Sequence, residues 1–345
     1  MPIPSVGAAE MGVSWRLVRA RALPAIALLV VAMGSLLAGY AVTDPAYLRL
    51  IVGMVGAALV AVLAAELPTG VVLGLLVTWM TGLGLIRRLV SAVSPKQALG
   101  DPLLLLGAAV WVVLGLLAVR RGALQNRTPL TTWVLALTGL LAVSALNPLQ
   151  GGLLVGLSGA LLVVVPMLAF LVGRALVDDR LLARLLGLVA GLGLVVACYG
   201  LVQTFVGFPG WDRAWIGTEG YTALNVGGTI RAFASFSAAS EYAIFLGLAV
   251  VAWVARARGL FRWPLVVAAV TLLGVALWYE SSRNVIILAV IAVGMMLAAR
   301  ARVPLGGAVI AGVVLLAAMP TLVSTLAPGQ LADDPQGQLV AHQVS

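Results

Sequence analysis

The stretch TIRAFASFSAASEYAIFLGLAV, residues 229–250, passes from a polar entrance into an unbroken apolar run. Arg231, Ser235, Ser237, Ser240 and Glu241 crowd its first part, and from Ala243 onward only apolar residues follow. Hydrocarbon repels unpaired polar groups, so RAFASFSAAS is too polar to begin a spanning helix. Irregular backbone at membrane depth survives only where protein or a wet cavity covers it. The stretch therefore reads as an extended segment over 231–237 that lines a cavity. Ser237 then caps a helix starting near 238, and Glu241 lies in that helix's first turn, where a carboxylate suits the helix dipole. On this reading the fold is a bundle of membrane helices.

The rest of the chain fits that class. Of 345 residues, 62% are hydrophobic and 10% charged, and the mean hydropathy is +1.13. Apolar runs fall at about 22–42, 46–65, 67–86, 99–119, 130–147, 151–173, 181–203, 238–255, 264–280, 284–299 and 305–326. Runs of about 18 apolar residues or more predict transmembrane helices. The expectation is an all-α polytopic bundle of about eleven helices, with residues 1–345 forming one integral membrane domain. Arg16, Arg19 and Arg21 precede the first run as in a signal peptide. That run is longer than a typical signal core and no small-residue cleavage site precedes Thr43-Asp44-Pro45, so it reads as an uncleaved helix.

A net charge of +9 would suggest nucleic acid in a soluble protein. Here the arginines gather in short loops between apolar runs, and no nucleic-acid partner is expected. With a cytoplasmic N-terminus, fourteen of the 21 basic residues fall on the cytoplasmic side. Seven fall outside: Arg49, Arg87, Arg88, Lys96, Arg213, Arg231 and Arg283. The two-to-one split sets the orientation and places the segment 206–231 and the tail 327–345 on the extracytoplasmic face. Cys198 is the only cysteine and lies inside an apolar run, which leaves no disulfide framework and no thiolate metal site. The pairs Gly152/Gly156 and Gly187/Gly191 have the spacing of close helix packing.

No apolar run carries an ionisable residue near its middle, whereas ion-coupled transporters keep such groups at mid-depth. Nucleotide-binding and zinc-hydrolase motifs are absent, and neither a metal nor a cofactor is expected. The polar groups concentrate outside. Asp212, Arg213 and Glu219 lie in the long loop, and YESSRN at 279–284 puts Glu280 and Arg283 between two apolar runs. Arginines from separate chain positions at one membrane depth suit a pyrophosphate, because planar donor forks match phosphate oxygens. The plainer alternative is arginines reaching to lipid headgroups.

IRAFASFSAASEYAIFLGL resembles the Arg-x-x-Gly-Thr-Phe segment of the O-antigen ligase and O-antigen polymerase superfamily. Arg231, Ser235 and Phe236 keep that spacing, Ala234 stands for the glycine, and Ala239-Ser240 stand for a Pro-Asn pair. ESSRNVIILAVIAV resembles the Ser-Arg motif of the same family. The resemblance implies a metal-independent glycosyltransferase of the bacterial cytoplasmic membrane. Such an enzyme moves a glycan from an undecaprenyl-pyrophosphate carrier to a glycan, lipid or protein acceptor on the outer face, among membrane lipids. It also implies that Arg231 and Arg283 hold the diphosphate. The family's base is a histidine in a large late loop, and His342 is the only histidine here. Arg88, Arg213, Glu241 and Glu280 are the further candidate substrate contacts. The family returns with further helices after its late loop, so the resemblance implies that residues 327–345 begin such a loop. A transporter or flippase of lipid-linked glycans, without catalysis, is the alternative function.

Overall fold

The computed structural model describes residues 45–93, 103–125, 128–144, 146–147, 153–219, 225–226, 229–257, 263–280 and 282–301. Among the described residues there are ten helices and one small hairpin. The helices are α1 (Pro45–Glu66), α2 (Thr69–Val93), α3 (Leu103–Arg120), α4 (Pro129–Ser144), α5 (Leu153–Leu176), α6 (Asp179–Phe205), α7 (Gly210–Glu219), α8 (Ala239–Arg256), α9 (Trp263–Glu280) and α10 (Arg283–Ala301). Strands β1 (Asn225–Val226) and β2 (Thr229–Ile230) pair antiparallel, with Asn225 opposite Ile230. Four helices are long and apolar enough to cross a membrane: α2 over Thr69–Val90, α6, α8 and α9. The architecture of the described residues is thus almost wholly helical, and the four spans are membrane-crossing by length and composition. Nine of the eleven expected runs coincide with helices, and the runs at 22–42 and 305–326 lie outside the described residues.

The chain forms two compact units. One comprises Met1–Val72 and Gln97–Val177; within it α3 packs against α1 and α5, and α4 packs on α5. Its polar anchor is Thr131, buried in the first turn of α4 and bonded to Thr128 and to the guanidinium of Arg174.

The second unit comprises Leu73–Lys96 and Asp178–Ser345, and α8 is its axis, packed against α6, α9 and α10. Lipid tails are as apolar as leucine, so burial alone does not drive helices together in a bilayer; close van der Waals packing must. Small residues provide it. A Cβ on Gly193 would lie 2.3 Å from that of Ala249, and one on Gly200 would lie 2.0 Å from the Tyr242 hydroxyl. The pair expected from spacing divides: a Cβ on Gly187 would lie 2.9 Å from the Arg256 guanidinium of α8, whereas one on Gly191 would meet no described neighbouring element within 4 Å. Spacing alone does not say which side of a helix meets a neighbour. Helix ends are closed locally. Asp178 accepts from the Leu181 amide at 2.7 Å to cap α6, and Arg300 donates to the carbonyls of Ala255 and Ala257 at the end of α8.

Candidate functional site

Residues 231–238 do not run extended. They fold into a compact turn, in which the Phe236 amide donates to the Phe233 carbonyl at 2.9 Å and Ala234 takes a left-handed φ of 45°. Ala232 through Phe236 are all buried. Buried irregular backbone must find partners, and three side chains supply them. Gln203, from the last turn of α6, accepts the Phe233 and Ala234 amides on Oε1 at 3.1 and 2.7 Å. Arg88, from α2, donates to the carbonyls of Ala234 and Phe236, and its guanidinium lies 4.6 Å over the Phe233 ring. Ser235 accepts the Leu85 amide on its carbonyl at 2.8 Å and donates its hydroxyl to the Thr81 carbonyl at 2.6 Å. Thr81 and Leu85 are the two members of one i to i+4 pair, so the turn is spliced into the hydrogen bonding of α2. Gly84 makes room, since a Cβ there would sit 2.2 Å from the Phe236 carbonyl carbon.

The same side chains hold α7. Asp212, in its first turn, is buried and accepts from Tyr199 Oη and Gln203 Nε2, each at 2.7 Å. Arg88 Nε approaches Asp212 Oδ1 at 2.8 Å, an ion pair whose angle misses that of a hydrogen bond. Within 206–231 the described residues thus include a docked helix and the paired strands β1 and β2. Tyr199 and Gln203 lie four residues apart on one face of α6, which is how a single helix end serves both elements. Sequence reasoning passed over both. The available signal was a tyrosine and an amide at helical spacing beside the polar end of an apolar run.

Arg231 leads away from this network. Its Nε donates to the Glu280 carbonyl at 2.7 Å and its Nη2 to Glu280 Oε1, in an ion pair with Glu280 fully buried and Arg231 16% exposed. Glu280 ends α9, and Arg283 opens α10 three residues later. The two motif arginines, 52 positions apart in the sequence, therefore converge on one helix junction. The Arg283 side chain and all of His342 lie outside the described residues. Two further polar atoms are buried near this junction with no partner among the described residues, Glu280 Oε2 and Tyr242 Oη.

The other expected site residues divide. Arg88 presents no surface to a ligand; protein groups surround its guanidinium. Arg213 is exposed on α7. Glu241 is exposed in the first turn of α8, as expected. The expected Ser237 cap is corrected: Ala238 is the N-cap and offers no side-chain bond. Instead Glu241 Oε2 accepts the amide of Ser237, one residue before the cap, at 3.2 Å, and the Ser237 hydroxyl accepts from Arg87 Nη1 at 2.9 Å. The Arg87 guanidinium also lies 5.2 Å over the Trp215 ring of α7. All of these groups share one end of the second unit. Comparison of the chain with protein-family models, curated proteins and solved structures finds no match.

Proposed function

We propose that the chain is a membrane glycosyltransferase of the O-antigen ligase or polymerase type. It would move a glycan from an undecaprenyl-pyrophosphate carrier to an acceptor at the extracytoplasmic face of the bacterial cytoplasmic membrane. The observation that supports this reading is the convergence of Arg231 and the start of α10 at Arg283 on the junction at Glu280. Departure of a lipid diphosphate concentrates negative charge on phosphate oxygens, and preorganised guanidiniums in a water-poor setting stabilise it. The acceptor hydroxyl must also lose a proton, which is the role the family resemblance gives to His342.

The test is transfer from a polyprenyl-linked donor by the chain in membranes, normalised to the folded amount. Arg231→Ala and Arg283→Ala are each expected to lower the rate by about thirty- to a thousandfold, roughly 2–4 kcal/mol of transition-state stabilisation. Lysine at either position restores only part, since it keeps the charge without the planar fork. Wild-type turnover in both alanine variants would make the arginines interfacial anchors and remove the basis of the reading. Movement of the donor across the bilayer with no transfer would favour the flippase.

A further inference from the structure

We infer that Glu280 is a positioning residue, which locks one edge of the Arg231 guanidinium so that the opposite edge is presented to the lipid diphosphate. The inference rests on the proposed function and assigns Glu280 a role different from direct substrate contact. An arginine side chain is long and loses much rotamer freedom when it is fixed. Glu280 fixes it twice, with the backbone carbonyl on Nε and a carboxylate oxygen on Nη2. Two bonds to one residue define the guanidinium plane as well as its position. Arg231 Nη1 and the second N–H of Nη2 have no hydrogen bond to a described residue, and the side chain retains partial exposure. A fork with one edge held and the other unbonded among the described residues matches two oxygens of a phosphate without first reorganising.

Direct contact between Glu280 and the substrate fits less well. The residue has no exposed surface and its charge already faces Arg231. Its surroundings include Tyr242, whose hydroxyl is also buried. The pairing has a second consequence. The Glu280 carboxylate partly neutralises Arg231 before the donor binds, so the arginine does not bind bulk phosphate indiscriminately; a diphosphate, with more charge to offer, competes better than a monophosphate.

Binding reads this out separately from chemistry. The full chain in nanodiscs is titrated with undecaprenyl diphosphate and, in parallel, undecaprenyl monophosphate. Wild-type protein is expected to prefer the diphosphate. Glu280→Gln keeps an acceptor oxygen for Nη2 and should hold diphosphate affinity within about threefold, with reduced discrimination against the monophosphate. Glu280→Ala should weaken diphosphate binding at least about tenfold, since a misplaced binding group can cost up to about a hundredfold. In an Arg231→Ala background the same Glu280→Ala change should have no further effect, which a general loss of packing would not reproduce. The proposal is overturned if Glu280→Ala binds like wild type, if Glu280→Gln loses as much as Glu280→Ala, or if the two alanine effects simply add. A wild-type chain with no preference for the diphosphate sinks the proposed function itself, a result distinct from these three.

Discussion

Arg88 Nε and Asp212 Oδ1 lie 2.8 Å apart, with neither side chain exposed, and this ion pair joins α2 to α7. The guanidinium also holds the carbonyls of Ala234 and Phe236. Removing one partner of a buried pair leaves an uncompensated charge and costs about 3–5 kcal/mol. Arg88→Ala is therefore expected to unfold the second unit or lower its stability by that amount. Asp212→Asn, which keeps acceptor capacity for Tyr199 and Gln203, should cost less. Thermal unfolding in nanodiscs ranks the two, and equal effects would contradict the described network. Arg88→Lys should behave like the alanine variant, because an ammonium cannot reach Asp212 and two carbonyls in one plane.

Ala234 adopts the left-handed region with its side chain fully buried. That conformation costs a non-glycine residue about 1–2 kcal/mol, while a buried methyl contributes about 1 kcal/mol. The two nearly cancel, so Ala234→Gly is expected to leave stability within about 1 kcal/mol of wild type. Ala234→Val adds β-branching and bulk to the same position and should cost more than about 2 kcal/mol. A tolerated valine would mean that the turn is not as described.

Gly84 lies against the Phe236 backbone, where no flexible side chain can yield to a new Cβ. Gly84→Ala should displace the turn and cost about 1–3 kcal/mol. Because the turn leads directly to Arg231, donor binding should weaken in the same variant. Unchanged affinity alongside lowered stability would show that the turn and Arg231 are mechanically independent.

Tyr242 buries a hydroxyl with no partner among the described residues. An unpartnered buried hydroxyl costs about 1–3 kcal/mol, so Tyr242→Phe should be neutral or stabilising by about 1 kcal/mol. A destabilised phenylalanine variant would mean that the hydroxyl is satisfied in the membrane.

Orientation is testable in intact cells. In a Cys198→Ala background, an impermeant thiol reagent should label a cysteine at Gly217, which is exposed on α7, and not one at Gly259. The reverse pattern would invert the expected topology and remove the basis for proposing an extracytoplasmic site.

Much of the fold was readable from the chain, because long apolar runs have few structural options in a bilayer. The spans of α6, α8 and α9 follow from the sequence to within a few residues. Helix α7 did not: GWDRAWIGTE is neither long nor strongly apolar, and its place depends on Asp212 meeting Arg88, Tyr199 and Gln203. Local pattern carries no information about such a distant meeting. The candidate site was legible in part. Polar residues at the mouth of an apolar run signalled a special segment at 231–241, and its glycine-like position at 234 agrees with a left-handed φ. What could not be read was the division of labour among the arginines. Arg88 and Arg231 look alike in sequence, yet among the described residues one is wholly engaged by the protein and the other is held by one edge.

The bonds from Ser235 to Thr81 and Leu85 also bear on the order of assembly. Their partners stand 154 and 150 positions apart in the chain. During synthesis, α2 leaves the ribosome long before Ser235 exists; Thr81 and Leu85 can bond each other within the helix meanwhile, but Arg88 still lacks the Ala234 and Phe236 carbonyls that hold it. Contacts of such separation form late and slowly. Until the 231–238 turn arrives, α2 is expected to stay loosely anchored, and the bonds to Ser235 then lock it. Truncations between Arg88 and Ser235 should leave α2 poorly anchored and open to quality-control proteases, while chains extended past α8 should become resistant.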